Sequence, residues 1–254
     1  MSLPPAQPAR QARAITGVAG LDNVLGGGLP RGHLYLVEGS PGAGKTTLGL
    51  QFLLEGRARG ESGVYITLSE TRKELALVAE SHGWSLDGLE IFELVSEEGL
   101  SPDAEQSILY PSEVELGETT RAVMDTVRRQ KPERVVFDSL SEMRLLAQDP
   151  LRYRRQILAL KHFFAAQGAT VLMLDDLSGG KGEGDLQLHS IAHGVVALDQ
   201  SMADYGPVRR HLRVVKMRGV RYRGGEHDLS LDTGGLSVFP RLIAAEHRSD
   251  FESS

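Results

Sequence analysis

Eight consecutive residues, Gly39-Ser40-Pro41-Gly42-Ala43-Gly44-Lys45-Thr46, satisfy the phosphate-loop pattern G-x-x-x-x-G-K-[ST] at every fixed position. The glycines let backbone N–H groups turn inward around phosphate oxygens, and a helix N-terminus adds a favourable dipole. Ser40, Pro41, Gly42, Ala43, Gly44, Lys45, Thr46 and Thr47 are therefore the expected nucleotide contacts. The Lys45 ammonium is expected to reach the β- and γ-phosphates, and the Thr46 hydroxyl to bind Mg²⁺. The ligand class is ATP or ADP with Mg²⁺.

Phosphoryl transfer needs more than a cradle. It needs a carboxylate that supports the metal ion and a group that orients and deprotonates water. Asp138 ends the apolar run Val135-Val136-Phe137. An acid at the C-terminal edge of a parallel sheet is placed to hold Mg²⁺ through water. The same residue could simply cap a strand. Glu70 follows the run 64–68 and is a candidate base. An acid there is equally well explained as a first-turn helix residue favoured by the dipole, so the residues alone leave both readings open.

Further groups carry weaker signals. Lys216 and Arg218 share one face of a strand by period-two alternation, which by itself reads as an outward-facing pair. His189 and His193, four apart, could share a helix face as metal ligands, but no third ligand is evident, and ordinary polar roles are preferred. Asp175 and Asp176 end an apolar strand and could either sense nucleotide or cap it. The cluster Arg152-Tyr153-Arg154-Arg155 reads as a solvated or subunit-facing helix edge.

These groups must be positioned by a fold, and the pattern alternates strand with helix, which implies a mainly parallel sheet. Residues 33–38 read as the strand entering the loop and 47–54 as the helix leaving it. Strands are expected at 63–68, 90–95, 134–138 and 169–175, and helices at 72–82, 118–130 and 150–167. Thr71 is the N-cap of the helix over 72–82, and Gly83 and Gly168 are stops. Residues 96–117 read as an exposed loop and 178–185 as a Gly-rich surface loop. Beyond Gly194, runs at 195–198, 210–217, 227–231 and 236–240 read as antiparallel strands that extend the sheet.

Composition sets limits. The 254 residues favour one large α/β domain. There is no cysteine, which excludes disulfides and cysteine-ligated metal sites. The net charge of −6 argues against a dedicated nucleic-acid binder. No apolar run approaches the ~18 residues of a membrane span. Residues 1–13 lack an apolar signal-like core and read as a disordered leader, 14–245 as the domain and 246–254 as a flexible tail. A cytoplasmic location is expected.

Several stretches together resemble the start of a KaiC domain, in the RecA/DnaB superfamily of ATPases: Ile15-Thr16-Gly17-Val18-Ala19-Gly20-Leu21-Asp22, then Leu25-Gly26-Gly27-Gly28-Leu29-Pro30-Arg31-Gly32, then the phosphate loop. The similarity continues through Tyr65-Ile66-Thr67-Leu68-Ser69-Glu70-Thr71, His82-Gly83-Trp84, Phe137-Asp138-Ser139-Leu140 and Val215-Lys216-Met217-Arg218-Gly219, and it covers residues 14–242 in order. The resemblance implies a RecA-like α/β fold and a homo-oligomer, a hexameric ring with ATP bound between neighbouring subunits. It implies that Glu70 is the catalytic base, although the family carries a pair of acids where this chain has Ser69-Glu70. A single glutamate serves the related RadA-type ATPases. It also implies that Lys216 and Arg218 contact the γ-phosphate of the adjacent subunit. Tyr222 stands near where the family has a histidine. Asp232 completes the expected nucleotide-binding set.

The reading that results is a ring ATPase of regulatory or signalling type, with a regulatory protein as a partner. Three alternatives are kept. The first is a nucleotide-gated scaffold with negligible hydrolysis, supported by Ser69. The second is an autokinase acting near Ser190, where the Ser/Thr pair of the clock protein's kinase half is not intact. The third is a DNA-dependent motor, against which the acidic balance counts.

Overall fold

Alternation along the strands builds two apolar layers on one sheet. In β3 (Leu34–Gly39), Tyr35 and Val37 enter one core, and Leu34 and Leu36 enter the other. The same split occurs in β7 (Thr170–Asp176), with Leu172 and Leu174 opposed to Val171 and Met173. Strands covered on both faces read as continuous apolar runs, which is why these segments show no polar stripe. The computed structural model describes residues 12–94, 111–177, 188–201, 206 and 208–242.

Among the described residues the sheet has nine strands in the order β11-β10-β9-β8-β3-β7-β6-β4-β5. The remaining strands are β4 (Gly63–Thr67), β5 (Glu90–Glu93), β6 (Arg134–Asp138), β8 (Gly194–Ser201), β9 (Arg209–Met217), β10 (Glu226–Asp232) and β11 (Gly235–Phe239). All pairs from β8 to β5 are parallel, and those from β8 to β11 are antiparallel. This is the expected mixed α/β architecture. One detail differs: the sequence pattern predicts β8 to be antiparallel like the rest of the C-terminal part, but it pairs parallel with β3 and antiparallel with β9. A short apolar run carries no signal of direction, so the sequence could not distinguish the two. A two-stranded ribbon, β1 (Arg13–Ala14) with β2 (Leu29–Pro30), sits apart from the main sheet. Arg13, assigned to the leader, is thus in a strand, and residues 1–11 and 243–254 lie outside the described residues.

Helix α2 (Lys45–Ala58) leaves the phosphate loop and is buried on nearly every side over residues 47–53. It lies against the sheet and is also tied to the C-terminal hairpin. The Gln51 side-chain amide donates to Gly17 O and Leu236 O and accepts from Leu236 N. A helix enclosed in this way needs no polar face. After a one-turn α1 (Leu21–Val24), the other helices named among the described residues are α3 (Arg72–Ser81), α4 (Pro111–Gln130), α5 (Leu140–Ala147) and α6 (Pro150–Gln167). Thr71 and Glu74 form a reciprocal capping box on α3, as the Thr71 N-cap reading requires. Asp149 caps α6, Pro150 occupies its first turn, and Gly168 ends it in the left-handed region at φ 73°.

Two expectations fail locally. The loop read over 96–117 ends early, because α4 begins at Pro111; residues 95–110 lie outside the described residues. Proline lacks only an N–H that a first helical turn leaves unpaired, so here it starts a helix. Helix α5 occupies a stretch to which the sequence reading assigned no element. The Gly-rich segment 178–185 lies outside the described residues. Among the described residues no helix is long and apolar enough to cross a membrane.

The end of the sheet opposite the phosphate loop is held by a buried cation. Arg134 is fully buried; it donates to Ile15 O and Phe52 O at 2.7 Å each, pairs with Glu61 Oε2 at 2.6 Å, and lies 4.6 Å from the Phe52 ring centroid. Burial pushes the Glu61 carboxyl up, but hydrogen bonds from Arg134 and Arg31 outweigh it and hold it below the ordinary glutamate value. Gly56 is needed beneath this guanidinium, since a Cβ there would lie 2.4 Å from Arg134 Cδ. Arg134→Met should lower stability by about 3 kcal/mol or more, because it leaves the Ile15 and Phe52 carbonyls without their donor and Glu61 with Arg31 alone. Urea unfolding should show a lower midpoint with an unchanged slope, and Gly56→Ala should fall in the same direction by about 1–3 kcal/mol.

Candidate functional site

The C-terminal ends of β3, β4, β6 and β7 converge above α2. A cleft of about 400 Å³ there is lined by Gly42, Gly44, Lys45, Thr46, Thr47, Ser69, Glu70, Asp138 and Asp176, among others. Gly42 and Gly44 have φ of 79° and 104°, the left-handed backbone that lets successive N–H groups converge. The loop is pinned from outside by Gln200, whose side chain donates to Pro41 O at 2.9 Å.

The Lys45 ammonium donates to Gly39 O at 2.9 Å and Ser40 O at 3.0 Å, and pairs with Asp176 Oδ1 at 2.6 Å. The residues alone leave Asp176 open between sensing and capping. The structure separates it from its neighbour by alternation: Asp175 turns to Arg144 at 2.6 Å, while Asp176 reaches the phosphate-loop lysine. Sequence reasoning did not include Asp176 in the site. No residue pattern could single it out, because Asp176 sits beside Gly39 through the β3–β7 register, which only the folded sheet shows.

Asp138 is buried beside Lys45 and Asp176. Tyr65 donates to its Oδ2 at 2.5 Å, and the Thr46 hydroxyl also bonds it. Burial is the main force raising the Asp138 carboxyl above the usual value. Repulsion from Asp176 adds to it, and the bonds from Tyr65 and Thr46 and the charge of Lys45 act against it. Tyr65 was read only as a strand residue. Fully buried against this carboxylate, its phenol is pushed well above its ordinary value, so it is a fixed donor.

Glu70 is held over the cleft by its backbone. Thr67 Oγ1 donates to Glu70 O at 2.8 Å and accepts from Glu70 N at 2.9 Å. Burial, then the negative charges of Asp138, Glu74 and Asp176, push the Glu70 carboxyl up to about 7; Lys45 opposes them. Glu70 Oε2 and Ser40 Oγ are both buried without a hydrogen-bond partner among the described residues. Hard oxygen donors at Thr46 and Asp138, orphaned polar atoms in the cradle and inward-turning amides suit a Mg²⁺-bound polyphosphate.

The remaining sequence candidates lie elsewhere. Lys216 donates to His189 O and Ala192 O, and Arg218 to Ser190 O, and neither lines the cleft of Lys45. Along β8, Lys216 pairs with Val195, toward the end opposite Leu198, which sits beside Gly39. Asp232 is exposed and approaches only through its carbonyl, which bonds the His82 ring at 2.8 Å; His82 in turn contacts Thr47 at 3.3 Å. His189 and His193 do not share a site: His189 pairs with Glu38, and His193 stacks on His33 with ring centroids 3.8 Å apart. Among the described residues there is no group of three or more His, Cys, Asp or Glu that could hold a metal ion.

The family model for the KaiC ATPase matches residues 14–243. A UPF0273 protein of Thermotoga maritima is 30% identical over 235 residues, covering 90% of this chain and 96% of its own length. A UPF0273 protein of Pyrococcus horikoshii is 30% identical over 239 residues, covering 91% and 95%. The circadian clock protein KaiC2 of Synechocystis is 28% identical over 238 residues, 89% of this chain but 39% of that protein. The crystal structure of a KaiC-like protein from Pyrococcus horikoshii superposes with a TM-score of 0.75 at 24% identity, covering 91% of this chain and all of that one, and it shares the fold.

A carboxyl titrating near 7 in the folded chain costs stability once it must ionise. That cost is absent below the ordinary glutamate value of 4.5 and grows as pH rises toward about 7. Glu70→Gln removes it. The variant should therefore melt higher than the parent at pH 8, with the gap closing by pH 4.5, as read by thermal unfolding in the absence of nucleotide.

Proposed function

Because the chain belongs to the KaiC ATPase family, we propose that it hydrolyses MgATP at sites completed between subunits of a homo-oligomeric ring. The observation that carries this reading is the meeting of Lys45, Thr46, Asp138 and Glu70 in one cleft, with a buried Glu70 oxygen that has no hydrogen-bond partner among the described residues. In the proposed site the amides of Ser40 to Thr47 cradle the phosphates. Lys45 exchanges Asp176 for the β- and γ-phosphates. Thr46 and Asp138 hold Mg²⁺, which would withdraw charge from those phosphates. Asp138 is set for this by the Tyr65 hydroxyl.

Glu70 orients a water and takes its proton as the water oxygen attacks the γ-phosphorus and the bond to the ADP oxygen breaks. A base titrating near 7 is matched to neutral pH: it is ionised enough to accept a proton and basic enough to keep it. Lys216 and Arg218 serve a neighbour's site, where cations neutralise charge that grows in the transition state. Their distance in register from the subunit's own phosphate loop supports this assignment. A six-membered ring, a regulatory role with a protein partner, a nucleotide contact from Asp232 and a cytoplasmic setting complete the proposal.

Ser69, which lines the cleft where the family carries a second acid, favours one other reading: a nucleotide-gated scaffold that binds ATP and scarcely hydrolyses it. Lys45→Ala should abolish nucleotide binding, measured by calorimetry. Glu70→Gln should bind MgATP normally and lose turnover by roughly 10²–10⁴-fold in a phosphate-release assay. Normal turnover in Glu70→Gln would remove Glu70 from the base role. Nucleotide-dependent assembly with no release from the parent would establish the scaffold.

A further inference from the structure

Glu38 stands one residue before Gly39, whose carbonyl accepts from Lys45. It is buried on the central strand β3, where an unpaired carboxylate would be costly. Its partner is the ring of His189: Nε2 lies 2.7 Å from Glu38 Oε2. His189 begins a series of carbonyls that hold cations. His189 O and Ala192 O accept from Lys216, Ser190 O accepts from Arg218, and Ile191 O accepts from Lys161 at 2.7 Å. Three ammonium and guanidinium groups that repel one another are thus gathered on one turn of backbone, and that turn is fastened to the sheet through His189.

We propose that Glu38 and His189 are positioning residues that fix the turn at 188–192, and with it Lys216 and Arg218, to the floor of the subunit's own phosphate loop. The inference rests on the reading of Lys216 and Arg218 as groups lent to a neighbour's site, and it names the anchor for that loan. The connection is continuous: Lys45 to the Gly39 carbonyl, Gly39 to Glu38 along the chain, Glu38 to the His189 ring, and the His189 carbonyl to Lys216. A shift of the phosphate loop on nucleotide binding would thereby move the cations offered to the next subunit. Neither Glu38 nor His189 lines the cleft.

The test uses mixed rings of full-length chains. Glu70→Gln subunits lack the base but can lend cations; Lys216→Ala/Arg218→Ala subunits keep the base but lend none. Each alone should be inactive, and their mixture should regain MgATP turnover. Glu38→Val placed on the lending subunit should cut that regained turnover about 10- to 100-fold, the scale of a small misplacement of catalytic charge. Placed on the receiving subunit, it should leave turnover within about twofold. Glu38→Gln, whose amide oxygen still accepts from His189, should restore activity on the lending side. Equal loss in both placements would mean that Glu38 serves general folding and would overturn the proposal, as would no loss in either. A parent mixture with no turnover would instead overturn the lending of Lys216 and Arg218, and this inference with it.

Discussion

Three carboxylates share one lysine at the C-terminal edge of the sheet, and the arrangement of the whole molecule follows from keeping them there. Asp138, Asp176 and Glu70 repel one another, and Lys45 faces all three. Such a group is stable only if each member is held from behind. Tyr65 holds Asp138, Thr67 holds the turn that carries Glu70, and the β3–β7 register holds Asp176 against Gly39. The net negative charge of this edge also prepares it for a ligand that brings its own cation. Mg²⁺ at the proposed Thr46 and Asp138 ligands would relieve the repulsion that burial has set up.

The rest of the fold serves this edge by immobilising α2. Its N-terminus closes the phosphate loop, its middle is joined to β11 through Gln51, and its C-terminal half is locked by Arg134. Arg134 is a buried charge with an acid, two carbonyls and an aromatic face around it, so it fixes orientation as much as it stabilises. The loop is thereby held at its base, and the carbonyls at 189–192 that accept from Lys161, Lys216 and Arg218 are joined to the same central strand by the contact of His189 with Glu38. In the proposed ring, each subunit would hold its own phosphates and its neighbour's charge neutralisers on one piece of scaffold.

Much of this was legible in the residues because local rules and tertiary demands agree. The phosphate loop, the Thr71 cap and the Gly168 stop of α6 are written in residue types whose backbone preferences the fold uses unchanged. What was not legible depended on which neighbour a side chain meets. Asp175 and Asp176 are adjacent and chemically equal, and only the sheet shows that one turns to Arg144 and the other to Lys45. Tyr65 looks like any strand aromatic until Asp138 is placed beside it. Pro111 falls within the stretch that reads as an exposed loop, and it starts α4 because a first helical turn tolerates the missing donor. The direction of β8 follows from its seat beside β3, which a four-residue apolar run cannot encode.

The central claim is that catalysis needs two subunits, one holding MgATP and one lending Lys216 and Arg218. Its most direct test is the rate of phosphate release per subunit, measured across a dilution series with oligomer mass read by light scattering in the same samples. The account predicts that specific activity rises with the assembled fraction and vanishes in dilute monomer. A monomer with the same turnover per subunit as the assembled protein would contradict it.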